Sequence, residues 1–123
     1  MSPGDLEIAM QFGTALEGAA RTGDWTAVYP LLAADIEWVT PRRTLSGIAE
    51  LEHDRIWGYP PEHLDLQFEV GDWADLGGGR AAIDVRQIYR MKGSGDFAYQ
   101  RDLHIEVLIR GGKISRYEIR PTP

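Results

Sequence analysis

A chain of 123 residues, 43% apolar and 26% charged, is one domain long, with enough apolar content for its own core; both disorder and membrane insertion are disfavoured. The net charge of -6 speaks against nucleic acid as the main partner, because neutralising phosphates requires clustered Lys and Arg. There is no cysteine, which removes disulfides, thiolate metal sites and cysteine nucleophiles together. No apolar run approaches the roughly 20 residues that span a bilayer. Met1-Ser2-Pro3-Gly4-Asp5 lacks the basic segment and apolar block of a secretory signal, so the expected location is cytoplasmic, with no membrane partner.

Residues 5 to 21 read as an amphipathic helix. Ile8, Phe12, Leu16 and Ala19 share one side with Ala9, Gly13 and Ala20 beside them, while Glu7, Gln11 and Arg21 lie elsewhere. Thr22-Gly23 ends it. Asp24 is placed as the N-cap of a short second helix carrying Trp25, Val28, Leu31 and Leu32, with Pro30 expected either to kink it or to stand in a first turn. Ile36 to Thr40 reads as a strand stopped by Pro41, with Ile36, Trp38 and Thr40 on one face and Glu37 and Val39 on the other. Arg42 to Leu45 reads as a loop, and Ser46 caps a helix from Gly47 to about Trp57. There Ile48, Leu51 and Arg55 share a face, so Arg55 is expected towards the sheet and His53, nearly opposite, in solvent. Gly58-Tyr59-Pro60-Pro61 breaks the helix.

From Leu64 the period changes to two. Leu64, Leu66, Phe68 and Val70 alternate with Asp65, Gln67 and Glu69, then Trp73 follows and Gly77-Gly78-Gly79 turns the chain. Ala81, Ile83, Val85, Gln87 and Tyr89 form one face of the next strand, opposed by Ala82, Asp84, Arg86, Ile88 and Arg90. Beyond the turn signal Gly93-Ser94-Gly95-Asp96, Leu103, Ile105, Val107 and Ile109 alternate with Asp102, His104, Glu106 and Leu108. Gly111-Gly112 leads to a last strand from Lys113 to Arg120, where Ser115, Tyr117 and Ile119 oppose Arg116, Glu118 and Arg120. Long antiparallel strands with one apolar face and a few inward polar groups are a common way to build a small-ligand pocket.

The order helix, Gly-Asp-Trp-led short helix, strand, helix and antiparallel meander resembles the nuclear transport factor two-like superfamily. The motifs that carry the resemblance are Arg21-Thr22-Gly23-Asp24-Trp25, Leu31 to Trp38, Leu45-Ser46-Gly47 and Gly112 to Glu118. Together they look most like its SnoaL-like branch, across nearly the whole chain. The resemblance implies a single α+β domain over residues 1–123. It would be a cone-shaped, curved antiparallel sheet, a cystatin-like roll, with N-terminal helices packed on its concave face. It also implies a homodimer through the outer sheet face. The superfamily includes ketosteroid isomerases, limonene epoxide hydrolases, scytalone dehydratases, polyketide cyclases and members without activity, so fold does not settle function.

Carried over position by position, the ketosteroid isomerase groups are missing. Thr40 stands where the carboxylate base would precede Pro41, the tyrosine donor falls near Leu16, and the second carboxylic acid near Ile105. The Asp-Arg-Asp set of the limonene epoxide hydrolases falls near Val85, Gln87 and Ile119. A register slipped by one would supply Asp84, Arg86 and Glu118, but would turn every apolar side chain of those strands outward.

Asp102, His104 and Glu106 share a strand face with Asp84, Arg86 and Arg90, a spacing that suits either a metal site or cross-strand ion pairs, and the interleaved signs favour the pairs. No metal is expected. Dinucleotide fingerprints, phosphate-cradling loops and serine nucleophile motifs are absent, and no cofactor is expected. Arg55 and Arg101 would each place a cation at the pocket rim, with a surface salt bridge as the competing role. The expected ligand is a small hydrophobic molecule, met by Trp38, Thr40, Arg55, Trp57, Phe68, Gln87, Tyr89 and Tyr117. Asp54, Gln87 and Tyr89 are the candidates for chemistry, with Glu37 and His63 behind them. The competing function is a non-catalytic ligand-binding or dimeric interaction module.

Overall fold

Alternating side chains from Arg80 onward build the two longest strands of the structure, a computed structural model that describes residues 3–54 and 62–122. The chain begins with helix α1 (Pro3–Thr22) and a 3-10 turn (Tyr29–Leu31). Strands β1 (Leu32–Val39) and β2 (Thr44–Ser46) and helix α2 (Ile48–Asp54) follow. The rest is sheet: β3 (Leu64–Val70), β4 (Ala74–Gly77), β5 (Arg80–Met91), β6 (Phe97–Arg110) and β7 (Lys113–Pro121). One curved seven-stranded sheet has the order β2-β1-β7-β6-β5-β3, with β4 also paired to β5. The fold is the expected α+β class, with α1 laid on the concave face.

The meander is antiparallel throughout, while β1 joins it in parallel beside β7, setting Trp38 opposite Tyr117. That join closes the sheet around the helix. Ala9, Phe12 and Ala19 of α1 sink into a core with Ile36, Trp38, Ile83, Ile105, Val107 and Tyr117. The opposite face of the sheet is tied by ion pairs across strands. Arg86 meets Asp102 at 2.8 Å, Arg80 meets Glu106 at 3.1 Å and Arg120 meets Glu106 at 3.4 Å, while Arg116 and Glu118 pair along β7 at 3.3 Å. Asp84, Arg86 and Glu118 therefore lie outside, and the slipped register is not the one adopted.

Four local expectations change. The helix placed after Asp24 is a turn and a single 3-10 stretch: Asp24 Oδ1 accepts from the Thr26 amide at 3.0 Å and its hydroxyl at 2.8 Å, and Pro30 has no N–H with which to extend a helical ladder. Thr44 and Leu45 are strand rather than loop, because a tight turn at Pro41-Arg42, closed by the Thr40 amide on the Arg43 carbonyl, brings them back onto Val39 and Trp38. Strand β4, between Trp73 and the glycine turn, went unread because it offers only Ala74 to Gly77 and buries none of them. The β6–β7 register shifts between Leu108 and Ile109 of β6, so Ile114 of β7 is fully buried alongside Tyr117 despite its opposite parity. Ser115 sits in this bulge, with its hydroxyl donating to the Leu108 carbonyl at 3.1 Å. The expected helix from Gly47 to Trp57 is described only as far as Asp54.

Gly79 is required where β4 turns into β5. Its φ is +80°, and a Cβ there would stand 2.5 Å from the Ile109 carbonyl oxygen, a backbone atom that cannot swing aside. Gly78 shares the positive φ, at +63°, but opens to free space. Gly78→Ala is expected to cost about 1 kcal/mol of stability from conformation alone, and Gly79→Ala at least about 1 kcal/mol more from the collision. Urea unfolding of the two variants reads the difference, and equal midpoints would show that the close approach is not tight.

Candidate functional site

Helix α1 presents two stripes. Ala9, Phe12 and Ala19 fill the core, and Gly13, Leu16, Glu17 and Ala20, spaced i, i+3, i+4 and i+7, face a cavity of about 450 Å³ between helix and sheet. The small residue at 20 leaves this space. At Gly13 the approach is close, since a Cβ would come within 3.2 Å of the Trp73 indole nitrogen.

On the sheet side, the β5–β6 ladder grades from apolar to polar. Ala81 pairs with Val107, Ile83 with Ile105 and Val85 with Leu103, and then come Gln87 with Arg101 and Tyr89 with Tyr99. At the apolar end Trp38 and Tyr117 stack with ring centroids 3.7 Å apart, and Phe12 stands edge-on to both at 6.4 and 5.8 Å. Burial pushes the Tyr117 phenol far up from its ordinary value, so it stays protonated, and no described residue hydrogen-bonds it.

At the polar end Tyr89 stacks on Tyr99 with centroids 4.4 Å apart and donates to Gln87 Oε1 at 3.4 Å. Burial, then the neighbouring Tyr99, raise the Tyr89 pKa, while Arg101 opposes them. Glu17 is ion-paired with Arg21 at 3.0 Å, and the Arg21 guanidinium lies over the Phe68 ring, 5.4 Å from its centroid.

Trp38, Thr40, Phe68, Gln87, Tyr89 and Tyr117 all line the cavity. Thr40 is less available than its position suggests, because its hydroxyl donates to the Arg43 carbonyl at 3.1 Å and so holds the β1–β2 turn. The Asp54 side chain, Arg55 and Trp57 lie outside the described residues. Glu37 is exposed and pairs with Arg116 at 3.4 Å, and His63 is exposed. The six positions matched to catalytic groups of relatives, Leu16, Thr40, Val85, Gln87, Ile105 and Ile119, also face the cavity.

Sequence reasoning missed Glu17, the one carboxylate among the described residues lining the cavity. The signal was the neighbouring pair of small residues: Gly13 and Ala20 share a helical face with Leu16 and Glu17, and a face of small residues leaves room beneath it. Tyr99 was missed because its strand was read only from Asp102 onward.

On the outer face, His104 sits between two carboxylates, with Nδ1 2.8 Å from Asp84 and Nε2 3.2 Å from Glu106. Glu106 also meets Arg80 at 3.1 Å and Arg120 at 3.4 Å, so the side chains a metal would need are engaged in ion pairs. No group of His, Asp and Glu among the described residues converges on a metal-binding point.

No family model and no curated protein matches the sequence. Solved structures match it over nearly its whole length. An NTF2-like protein from Anabaena variabilis is 16% identical with a TM-score of 0.76, over 99% of this chain and 92% of that one. TerC co-crystallised with polyporic acid is 18% identical with a TM-score of 0.69, over 97% of this chain and 92% of that one. A protein of ketosteroid isomerase-like fold from Catenulispora acidiphila, in complex with trimethylamine, is 15% identical with a TM-score of 0.64, over 91% of this chain and 85% of that one. The chain therefore has the NTF2-like fold. No helix among the described residues is long and apolar enough to cross a membrane.

The hydrogen bond to Asp84, helped by Glu106 and opposed by burial and Arg120, raises the His104 pKa above its ordinary 6.5. A raised folded-state value means the protonated form stabilises the fold. This contribution is complete below the unfolded value and is lost as the pH rises through the folded one. Thermal melts from about pH 5 to pH 9 are expected to fall across that window. His104→Gln should remove this part of the slope, and parallel wild-type and variant curves would show that the pairs with Asp84 and Glu106 carry no linkage.

Proposed function

We propose that this SnoaL-like chain binds a small, largely apolar metabolite in the cavity beneath α1. The observation that carries this reading is the Tyr117 hydroxyl. It is buried, held protonated and without a hydrogen bond to any described residue, against a cavity whose walls are mainly apolar and aromatic. A buried donor of that kind is stabilised by an acceptor oxygen on whatever enters. The likeness to TerC, co-crystallised with polyporic acid, supports a small organic ligand, and the cytoplasmic location expected from the sequence belongs to the same proposal.

A second reading is catalysis of isomerase, cyclase or dehydratase type. Glu17 favours it, being a cavity-lining carboxylate of the kind that proton transfer requires. Tyr117 would donate to the oxygen on which charge develops. The homodimer through the outer face is carried as a proposal too. The ion-paired residues of β5, β6 and β7 would meet their copies there, and sedimentation at rising salt tests it.

Trp25, Trp38 and Trp73 line the cavity and report on it. Titration with steroids, terpenoid epoxides and polyketide-like phenols is expected to give saturable changes in tryptophan fluorescence for at least one class. Tyr117→Phe should weaken that ligand about 3- to 10-fold, the value of one hydrogen bond. Ala20→Leu, which fills the space under α1, should abolish binding while the protein still melts cooperatively. Binding that survives Ala20→Leu unchanged would place the ligand elsewhere. Loss of turnover in Glu17→Gln with binding retained separates the catalytic reading from the binding module.

A further inference from the structure

Arg101 lies on the inward face of β6, in line with Leu103, Ile105 and Val107, where alternation otherwise places apolar side chains. It is the one arginine among the described residues that lines the cavity. Arg21, Arg80, Arg86, Arg116 and Arg120 each hold a carboxylate at 2.8 to 3.7 Å. Arg101 holds none among the described residues, in a chain whose 19 acidic residues outnumber its 13 Lys and Arg. Arg90 and Arg110 likewise hold no carboxylate among the described residues, but neither lines the cavity. Glu17, which faces the same cavity and would repel an anion, is occupied by Arg21 at 3.0 Å.

The surroundings of Arg101 are those of a recognition site rather than of a stray surface charge. Gln87 is its cross-strand partner, and the Tyr89 hydroxyl lies near enough to be lowered in pKa by it against the effect of burial. These three side chains offer a guanidinium fork, an amide and a phenol at one end of a cavity whose other end is the stacked Trp38–Tyr117 floor. A guanidinium fork matches the paired oxygens of a carboxylate or sulfonate; Arg101 is itself exposed, so such a contact would stay open to solvent on one side.

We infer that the cavity selects an amphipathic ligand: an aromatic or polycyclic body lodged over Trp38 and Tyr117, bearing one acidic group that Arg101 binds at the cavity's polar end. This rests on the binding reading above and adds the ligand's charge to it. Neutral hydrophobes of the same shape would enter with lower affinity.

Two fluorescent dyes sharing one aromatic body, 8-anilinonaphthalene-1-sulfonate and uncharged N-phenyl-1-naphthylamine, test the inference. The wild-type protein is expected to bind the sulfonate about five- to tenfold more tightly, as a charge-assisted contact open partly to solvent allows. Arg101→Gln should erase that preference and leave the affinity for the neutral dye unchanged. Arg110→Gln removes the same charge from an exposed position outside the cavity and should keep the preference, which separates a local contact from the net field. If both dyes bind equally to the wild-type protein, or if Arg101→Gln keeps the preference, this inference is wrong while the cavity reading stands. If neither dye saturates, or if both bind Ala20→Leu as well as wild type, the cavity reading itself fails.

Discussion

Phe12 stands edge-on to a stacked Trp38–Tyr117 pair, and the placement of helix, sheet and cavity passes through these three rings. Each comes from a different element: α1, β1 and β7. The stack exists only because β1 runs parallel to β7 in the register that sets residue 38 beside residue 117. With that register in place, Phe12 fixes how deeply α1 sits, and the helix face next to it comes to overlie open space. Aromatic pairs in these geometries contribute about 0.5–1.5 kcal/mol beyond the area they bury. Their larger effect here is geometric, because they hold Tyr117 with its hydroxyl beyond the reach of described partners.

The two faces of the sheet divide the work. Outside, charges of opposite sign face one another across β5, β6 and β7 and meet one another's demands. Inside, apolar pairs give way to Gln87–Arg101 and Tyr89–Tyr99, whose polar groups are only partly met by the protein. Protein interiors normally pack without voids larger than a water, and a cavity forgoes dispersion contacts that larger side chains would make. Ala20 maintains such a space on a helix where a larger residue would fill it, while Gly13 admits the Trp73 ring.

How much of this was legible in the sequence follows the range of the interactions involved. Alternation in β3, β5, β6 and β7 is a local signal, and it placed Gln87, Tyr89 and Tyr117 on the inner face correctly. The order of helices and strands was enough to recognise the fold. The β1–β7 pairing was not readable from either strand, since partners such as Leu32 and Ile114 are far apart along the chain. The bulge at Ser115 defeated strict alternation and hid Ile114. Glu17 was hidden for a different reason: a charged residue on a helix reads as solvated unless its neighbours are noticed to be small. Arg101 was placed at the rim, but whether a carboxylate would neutralise it depends on side chains from several elements, which no local pattern encodes.

The parallel seam between β1 and β7 also sets an order of events. Strands β4 to β7 can zip by successive hairpins, with β3 joining β5 just beyond β4, whereas β1 must wait for a partner roughly 80 residues downstream. During synthesis the N-terminal helix and Trp38 are therefore made early and seated late. Until Tyr117 arrives, the apolar stripe of α1 has no floor to rest on, and the stretch from Ile8 to Trp38 is the part of the nascent chain most in need of protection from other chains.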